Sequence, residues 1–297
     1  MNVSIETPST IANVIRAREG HSRASAGELP DYASLLAARH AAHGRELRKI
    51  VSYLPTDTYE TVLDAPCGDG FYSACFADSI AAGGMVVAAD IDFTYLQTAE
   101  SLIKSRSERA PIHLVRGDSY SLPFSTGTFD VAWCAQSLLS LVQPIQALAE
   151  LRRVVRKGGH VAVLEEDRTR ELSLRWPEDL ETVVREAEQT ALRTLLEDHE
   201  PPANPARQTQ ELLRAAGIVP LRQLTCAIHR GSPLGDYELE FLRLYFSAQR
   251  QRLFPFLTRE QKNQLARYTS PDSDQYLPRQ SSFRMTWREI LTVGAKT

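Results

Sequence analysis

The chain has 297 residues, 43% of them hydrophobic and 24% charged, with 34 basic against 37 acidic side chains for a net charge of −3. This composition excludes a disordered or fibrous protein, no apolar run approaches the ~20 residues of a membrane-spanning helix, and interspersed charges leave no basic stripe to track nucleic acid. The cysteines Cys67, Cys75, Cys134 and Cys226 lack metal-pair spacing, and residues 1–28 lack a charged-then-apolar signal pattern, so a reduced, cytoplasmic protein is expected.

In chain order, residues 1–30 mix small, polar and charged side chains and predict a flexible N-terminal arm. Asp31 is placed to cap a helix from Tyr32 to about Leu54, ended by Pro55, with Tyr32, Leu36, His40, His43, Leu47, Ile50 and Leu54 on one face. We read 31–56 as the N-terminal helix of a cap. Thr61-Val62-Leu63 predicts a strand that runs into Asp64-Ala65-Pro66-Cys67-Gly68-Asp69-Gly70 and then a helix over Phe71–Ala77. Strand, glycine turn and helix in this order form a nucleotide cradle, because glycines admit a ligand to the backbone and helix-terminal amides face it. An acid ahead of the glycines suits a cationic ligand. Met85–Asp90 predicts a second strand whose terminal carboxylate can accept both hydrogens of a ribose diol. Ile112–Val115 predicts a third, followed by the turn Arg116-Gly117-Asp118-Ser119, and Thr128–Gln136 contains a fourth.

Pro144 opens a helix with Ile145, Leu148, Ala149, Leu151 and Val155 as its stripe, Arg152, Arg153, Arg156 and Lys157 at its negative end, and Gly158 beyond. Gly158–Glu165 predicts a fifth strand, Pro177–Leu196 and about Gln208–Ala216 two helices separated by a proline-rich break over 200–205, and Ile218–His229 a sixth strand. From Asp236, Tyr237, Phe241, Tyr245 and Ala248 follow helical spacing beside Leu242 and Phe246, a breadth that implies contact on two sides. A helix near Arg259–Arg267 and a final strand over Phe283–Val293 complete the pattern. Residues 57–231 and 282–297 thus read as one Rossmann-like unit, and 232–281 as a helical lid insertion that roofs the substrate pocket together with the first helix.

On Asp64–Gly70, Asp90-Ile91, Asp118-Ser119 and Thr128–Gln136, the chain resembles the class I S-adenosylmethionine-dependent methyltransferases. Leu164–Asp167, Trp176–Leu180 and Ser273–Pro278 are similar to a bacterial small-molecule subgroup of them. The resemblance implies an α/β fold, a Rossmann-like, mostly parallel seven-stranded sheet with helices on both faces plus a helical cap. It also implies S-adenosylmethionine (SAM) as cofactor, held by Asp64, Ala65, Cys67, Gly68, Gly70, Asp90, Ile91, Asp118, Ser119 and Cys134. In that scheme Asp90 takes the ribose, Ile91 packs on adenine, Asp118 accepts from the exocyclic amine and the Ser119 N–H donates to a ring nitrogen. Pro66 stands where the family commonly has its first glycine and is expected to stiffen the turn. The rival dinucleotide fingerprint, Gly68-x-Gly70-x-x-Ser73 with Asp90 downstream, leaves Asp64 and Asp118-Ser119 without roles.

The reaction expected is in-line methyl transfer, driven by positioning and exclusion of water, to an O, N or C nucleophile of a medium-sized, partly apolar small molecule, in keeping with a biosynthetic role. His40 and His43 are the base candidates, because imidazole titrates near neutral pH. Tyr32, Tyr237, Tyr245 and Glu165 are the substrate-binding candidates. No metal is expected: Glu165, Glu166 and Asp167 are consecutive on an extended segment and alternate in direction. A second reading keeps the cofactor for structure or for a cyclisation. Neither nucleic acid nor membrane is an expected partner, and the sequence assigns no oligomeric state.

Overall fold

The computed structural model describes residues 32–106, 109–167, 176–196 and 205–297. The expected arm over 1–30, the Asp31 cap, the side chain of Tyr32 and most of the 200–205 break lie outside the described residues. Helix α1 (Tyr32–Val51) precedes β1 (Thr61–Asp64), α2 (Phe71–Ala77), β2 (Met85–Asp90), α3 (Phe93–Lys104), β3 (Ile112–Arg116) and β4 (Phe129–Ala135). Then follow α4 (Pro144–Val154), β5 (Val155–Glu166), α5 (Glu178–Leu196), α6 (Pro205–Ala215), β6 (Val219–Gly231), α7 (Asp236–Leu253), α8 (Arg259–Thr269) and β7 (Arg284–Ala295).

The strands form one sheet in the order β3-β2-β1-β4-β5-β7-β6. Strands β1 to β5 pair in parallel, whereas β7 runs antiparallel between β5 and β6. Because the chain steps outward from β1 to β3 and then returns to β4, the connections diverge between β1 and β4. In open α/β sheets the crevice at such a switch point, beyond the carboxyl ends of the strands, is where ligands bind.

Strand alternation divides the core in two. Val62, Val131, Trp133, Ala162, Leu164, Leu291 and Val293 face a cluster built with Leu47 and Ile50 of α1, Phe76 of α2 and Phe241, Leu242 and Phe246 of α7. Leu63, Ala132, Cys134, Val161 and Val163 face the other way, onto Leu148 and Leu151 of α4 and Leu213 of α6. Helix α7 also reaches Leu180 and Val184 of α5 and Leu265 of α8 through Leu253, so it is buried on two sides. Among the described residues no helix is long and apolar enough to cross a membrane.

Helix α1 ends at Val51 rather than about Leu54, α6 begins at Pro205 rather than about Gln208, and the boundary between α4 and β5 differs from the sequence expectation as well. Val155 leaves the α4 stripe with extended backbone (φ −77°, ψ 141°) and begins β5 opposite Phe129. The next pair is Val131 with His160, so residues 156–159 form a bulge in which Gly158 has φ 77°. Arg156 is drawn to Asp130 of β4 at 2.5 Å, which favours the extended path over a further helical turn.

Candidate active site

The turn after β1 is sewn between its neighbours. The Ala65 N–H donates to the Trp133 carbonyl and the Cys67 N–H to the Ala89 carbonyl, both at 2.9 Å. Gly68 and Gly70 adopt φ 52° and 80°, the left-handed region that glycine tolerates best. A Cβ at Gly70 would lie 2.8 Å from the Ala99 Cβ, so this glycine also lets α3 close against the turn.

Carboxylates converge on that turn. Asp64 is 1% exposed; its Oδ2 accepts from Ser73 Oγ at 2.6 Å, while its Oδ1 is buried without a partner among the described residues. Burial pushes the Asp64 carboxyl up to about 7; the Ser73 bond opposes this, and the nearby charges of Asp69 and Asp90 add to it. Asp90 accepts from the Gly68 N–H and the Asp92 N–H, each at 3.0 Å, and burial still raises it above the ordinary carboxylate range. The Gly117 N–H donates to the Asp90 carbonyl at 3.0 Å, which brings the next turn alongside. There Asp118 accepts from the Tyr120 N–H at 2.9 Å, and Ile91, Asp118 and Ser119 are all half-buried.

This electrostatic setting tests the cofactor. A buried carboxyl group raised by the charges of two neighbouring acids, with one oxygen unpartnered among the described residues, suits a ligand carrying positive charge and N–H donors. The ammonium, sulfonium and adenine amine of SAM meet that demand. A dinucleotide pyrophosphate would instead bring negative charge against Asp64, Asp69 and Asp90.

Some expected contacts need correction. Ala65 and Cys134 point into the core on the α4 side, and burial holds the Cys134 thiol well above its usual range. Cys67 packs on Ala88 and Leu96. For these three residues only backbone is left to face a ligand, because period-two alternation and the tightness of the turn send the side chains inward. Tyr237 is 69% exposed on α7. Tyr245 is packed among the rings of Phe241, Phe246 and Trp287. Glu165 is buried and braces the turn after β4, its Oε1 accepting from the Ser137 and Leu138 N–H groups at 2.9 Å.

Helix α1 lies against this turn and separates the two histidines. His40 Nδ1 sits 2.8 Å from Asp69 Oδ2, its ring stacks on Phe71 with centroids 4.1 Å apart, and its Nε2 is buried without a partner among the described residues. His43 is 0% exposed, lies edge-on to Phe241 and stacks with Trp287, and neither ring nitrogen has a partner among the described residues. Burial first, then the charges of Arg39, Arg230 and His40, lower His43 to about 3, so it is neutral near pH 7 and too weak a base to accept a proton there.

The structure adds residues that the sequence reading passed over. Glu289 of β7, fully buried, accepts from Arg39 of α1 and from Trp287 Nε1 at 3.0 Å through the same Oε1. Arg39 also lies over the Trp287 ring, 5.1 Å from its centroid. Gln136, in the left-handed region at φ 54°, donates from Nε2 to the Tyr72 hydroxyl at 3.4 Å. Position 289 shares strand parity with the buried Met285, Trp287, Leu291 and Val293, and an acid on such a face signals a buried partner.

Comparison with known proteins fits this geometry. Residues 63–163 match a family model described as a methyltransferase domain. The ubiquinone/menaquinone biosynthesis C-methyltransferase UbiE of Idiomarina loihiensis is 35% identical over 104 residues, which cover 35% of this chain and 41% of that protein. The 2-phytyl-1,4-naphtoquinone methyltransferase of Synechocystis sp. is 34% identical over 106 residues, covering 36% and 44%. The chain therefore spans only about two fifths of the length of these curated relatives. Among solved structures, the YcgJ protein of Bacillus subtilis aligns over 86% of this chain and 99% of its own with a TM-score of 0.52 at 17% identity. A geranyl diphosphate methyltransferase in complex with SAM aligns over 94% and 95% with a TM-score of 0.51 at 15% identity. At such identities the structural likeness bears on the fold alone. Glycine turn, strand-end carboxylates, sheet order and matched segment agree, and residues 63–163 are similar to a methyltransferase domain.

Proposed function

We propose that the protein transfers a methyl group from SAM to a nucleophile of a medium-sized, partly apolar small molecule. The observation that carries this reading is the trio Asp64, Asp69 and Asp90 around one glycine turn, with Asp64 Oδ1 buried and unpartnered among the described residues. In this reading Asp90 takes the ribose hydroxyls, Ile91 covers adenine, Asp118 and the Ser119 N–H read its edge, and Gly68 and Gly70 let the ligand close on the backbone. When bound, SAM supplies an electrophilic methyl group on a positively charged sulfur.

The chain's own residues then position the acceptor and keep out water, which in well-oriented systems is worth roughly 7–11 kcal/mol. The aromatic layer beneath α1 and α7 supports an apolar acceptor: Tyr72, Phe241, Tyr245 and Trp287 come together there, beside the polar groups of Gln136, Arg39 and Glu289. Two relatives that match residues of the same domain are named for quinone methylation, which supports a small aromatic acceptor of that general kind.

Calorimetry of the ligand-free protein tests the reading. SAM is expected to bind and NAD not to, and Asp90→Ala to weaken SAM at least tenfold. SAM at a hundred times its Kd adds about 2.7 kcal/mol of stability, readable as a rise in Tm. Equal uptake of NAD, or none of SAM, rules the proposal out. Incubation with methyl-labelled SAM and a metabolite extract then identifies the acceptor by the label it gains.

A further inference from the structure

We infer that Asp69 and His40 form a positioned general-base dyad, and that the acceptor is consequently one whose nucleophile must shed an O–H proton, a phenol, hydroquinone or enol. The inference rests on the SAM-dependent reading above and adds the base and the acceptor chemistry to it.

The geometry begins in the turn. Asp69 lies between Gly68 and Gly70; its Oδ1 accepts from the Phe71 N–H at 3.1 Å, which anchors the carboxylate at the start of α2. Its Oδ2 faces His40 Nδ1 at 2.8 Å. An ionised carboxylate only accepts, so the imidazole proton of that contact resides on Nδ1. In the neutral ring, Nε2 is then the lone-pair nitrogen. That atom is buried and has no hydrogen-bond partner among the described residues, a costly state for a polar group unless a ligand completes it. Phe71 stacks on the ring at 4.1 Å and Tyr72 meets it edge-on at 5.6 Å, so the imidazole is held on two sides and its orientation is set before any acceptor arrives. Residue 69 belongs to the turn that would cradle the cofactor, so the base is tied to the same few atoms that would carry the methyl donor.

The other titratable groups around the dyad are Arg39 and His43 on α1, Asp64 at the end of β1, Tyr72 on α2 and Glu289 on β7. None of them replaces it. Arg39 is paired with Glu289, burial and Glu289 hold the Tyr72 hydroxyl well above its usual range, and His43 is sealed between Phe241 and Trp287. The proton ledger is simple. The acceptor O–H gives its proton to His40 Nε2, and the electron pair stays on oxygen or is shared with a conjugated ring carbon. That pair forms the new bond to the methyl carbon as the methyl–sulfur pair retires to sulfur; a carbon so methylated then releases its ring proton to water. The imidazolium left on His40 is balanced by the Asp69 carboxylate, which acts as a positioning residue and never takes the proton. A neutral amine already has its lone pair and would need no such dyad.

Two measurements on the full chain test this. Nitrogen-15 NMR of the ligand-free protein, with His40 assigned through His40→Gln, is expected to show Nδ1 protonated and Nε2 bare in the neutral ring, and Asp69→Asn to scramble that preference. A protonated Nε2 in the wild type overturns the inference. The second uses methyl-labelled SAM with 1,4-dihydroxynaphthalene and 4-aminophenol as probes, the latter offering both a phenol and an aromatic amine that is neutral near pH 7. Expected are label on oxygen or ring carbon, loss of about 100-fold or more in turnover for His40→Gln with SAM affinity unchanged, and partial recovery of that variant as pH rises and the probe ionises in solution. Label on the amine nitrogen, no transfer to either probe by protein that binds SAM, or a His40→Gln pH profile matching the wild type overturns it. Should His40→Gln fold poorly, His40→Asn carries the same test with the same expected loss. Failure of the wild type to take up SAM defeats the parent reading, a result distinguishable from all of these.

Discussion

Asp64 ends β1 as a carboxylate held at about 7 inside the protein, whereas an unfolded aspartate releases its proton near pH 4. Between those values the unfolded chain ionises and the folded one resists, so this residue's contribution to stability is present below about pH 4, falls as pH rises, and levels off above about pH 7. The full span is on the order of 4 kcal/mol for the ligand-free protein. Urea denaturation at about pH 4.5, 6 and 8 is expected to show Asp64→Asn, which still accepts from Ser73, gaining on the wild type as pH rises; a constant difference would sink the argument. A cationic ligand beside Asp64 reverses the trend, so SAM affinity is expected to increase over the same interval. The acid and glycines of this turn were legible from residue order alone. The distinction between His40 and His43 was not. Helical spacing places both on the inward face, but what separates them lies elsewhere: the partner of one is Asp69 in a turn 29 residues on, and the walls of the other are Phe241 and Trp287, far down the chain.

Helix α1 is fastened to the domain at several points. Arg39 reaches Glu289 on β7, and Arg230 on β6 donates to Glu46 at 2.9 and 3.0 Å, to the Ala42 carbonyl at 2.9 Å and to Glu238 of α7 at 3.1 Å. The first of these is the more deeply buried, with Glu289 fully enclosed. Removing one member strands the other: Arg39→Met is expected to cost about 3–5 kcal/mol, and Arg39→Met with Glu289→Gln to cost less than Arg39→Met alone, because the lone buried charge is gone. Denaturant melts of both variants check this, and an equal or larger loss in the double variant contradicts it. At this scale the sequence told helix from strand through periodicity, and it missed where α4 yields to β5. Local spacing kept Val155 in the helix; pairing with Phe129 and the pull of Asp130 on Arg156 took it out. The exposure of Tyr237 was illegible for a related reason. A broadly apolar helix announces burial without saying which of its stripes faces the sheet.

For the molecule as a whole, the segment between β6 and β7 is part of the frame. Phe241, Leu242, Tyr245 and Phe246 of α7 belong to the same core as Trp133, Leu164 and Trp287, while α8 and the end of α7 hold α5. Replacing residues 232–281 by a short glycine-serine linker is therefore expected to abolish cooperative unfolding rather than leave a lidless domain, as read by calorimetry. A sharp transition from the shortened chain would show that the insertion is separable. The class of fold was legible because parallel strands separated by helices leave a period and a punctuation of their own. Which helix closes on which face was not, since it depends on contacts between residues as distant as Arg39 and Glu289.

The position of β7 between β5 and β6 has a consequence for synthesis. A nascent chain can assemble β1 to β5 as translation proceeds, but β6 has no neighbour to pair with until β7 has been made and inserted. Until then the growing polypeptide presents raw strand margins and an uncovered aromatic layer to its surroundings, the kind of surface to which chaperones bind and at which aggregates nucleate.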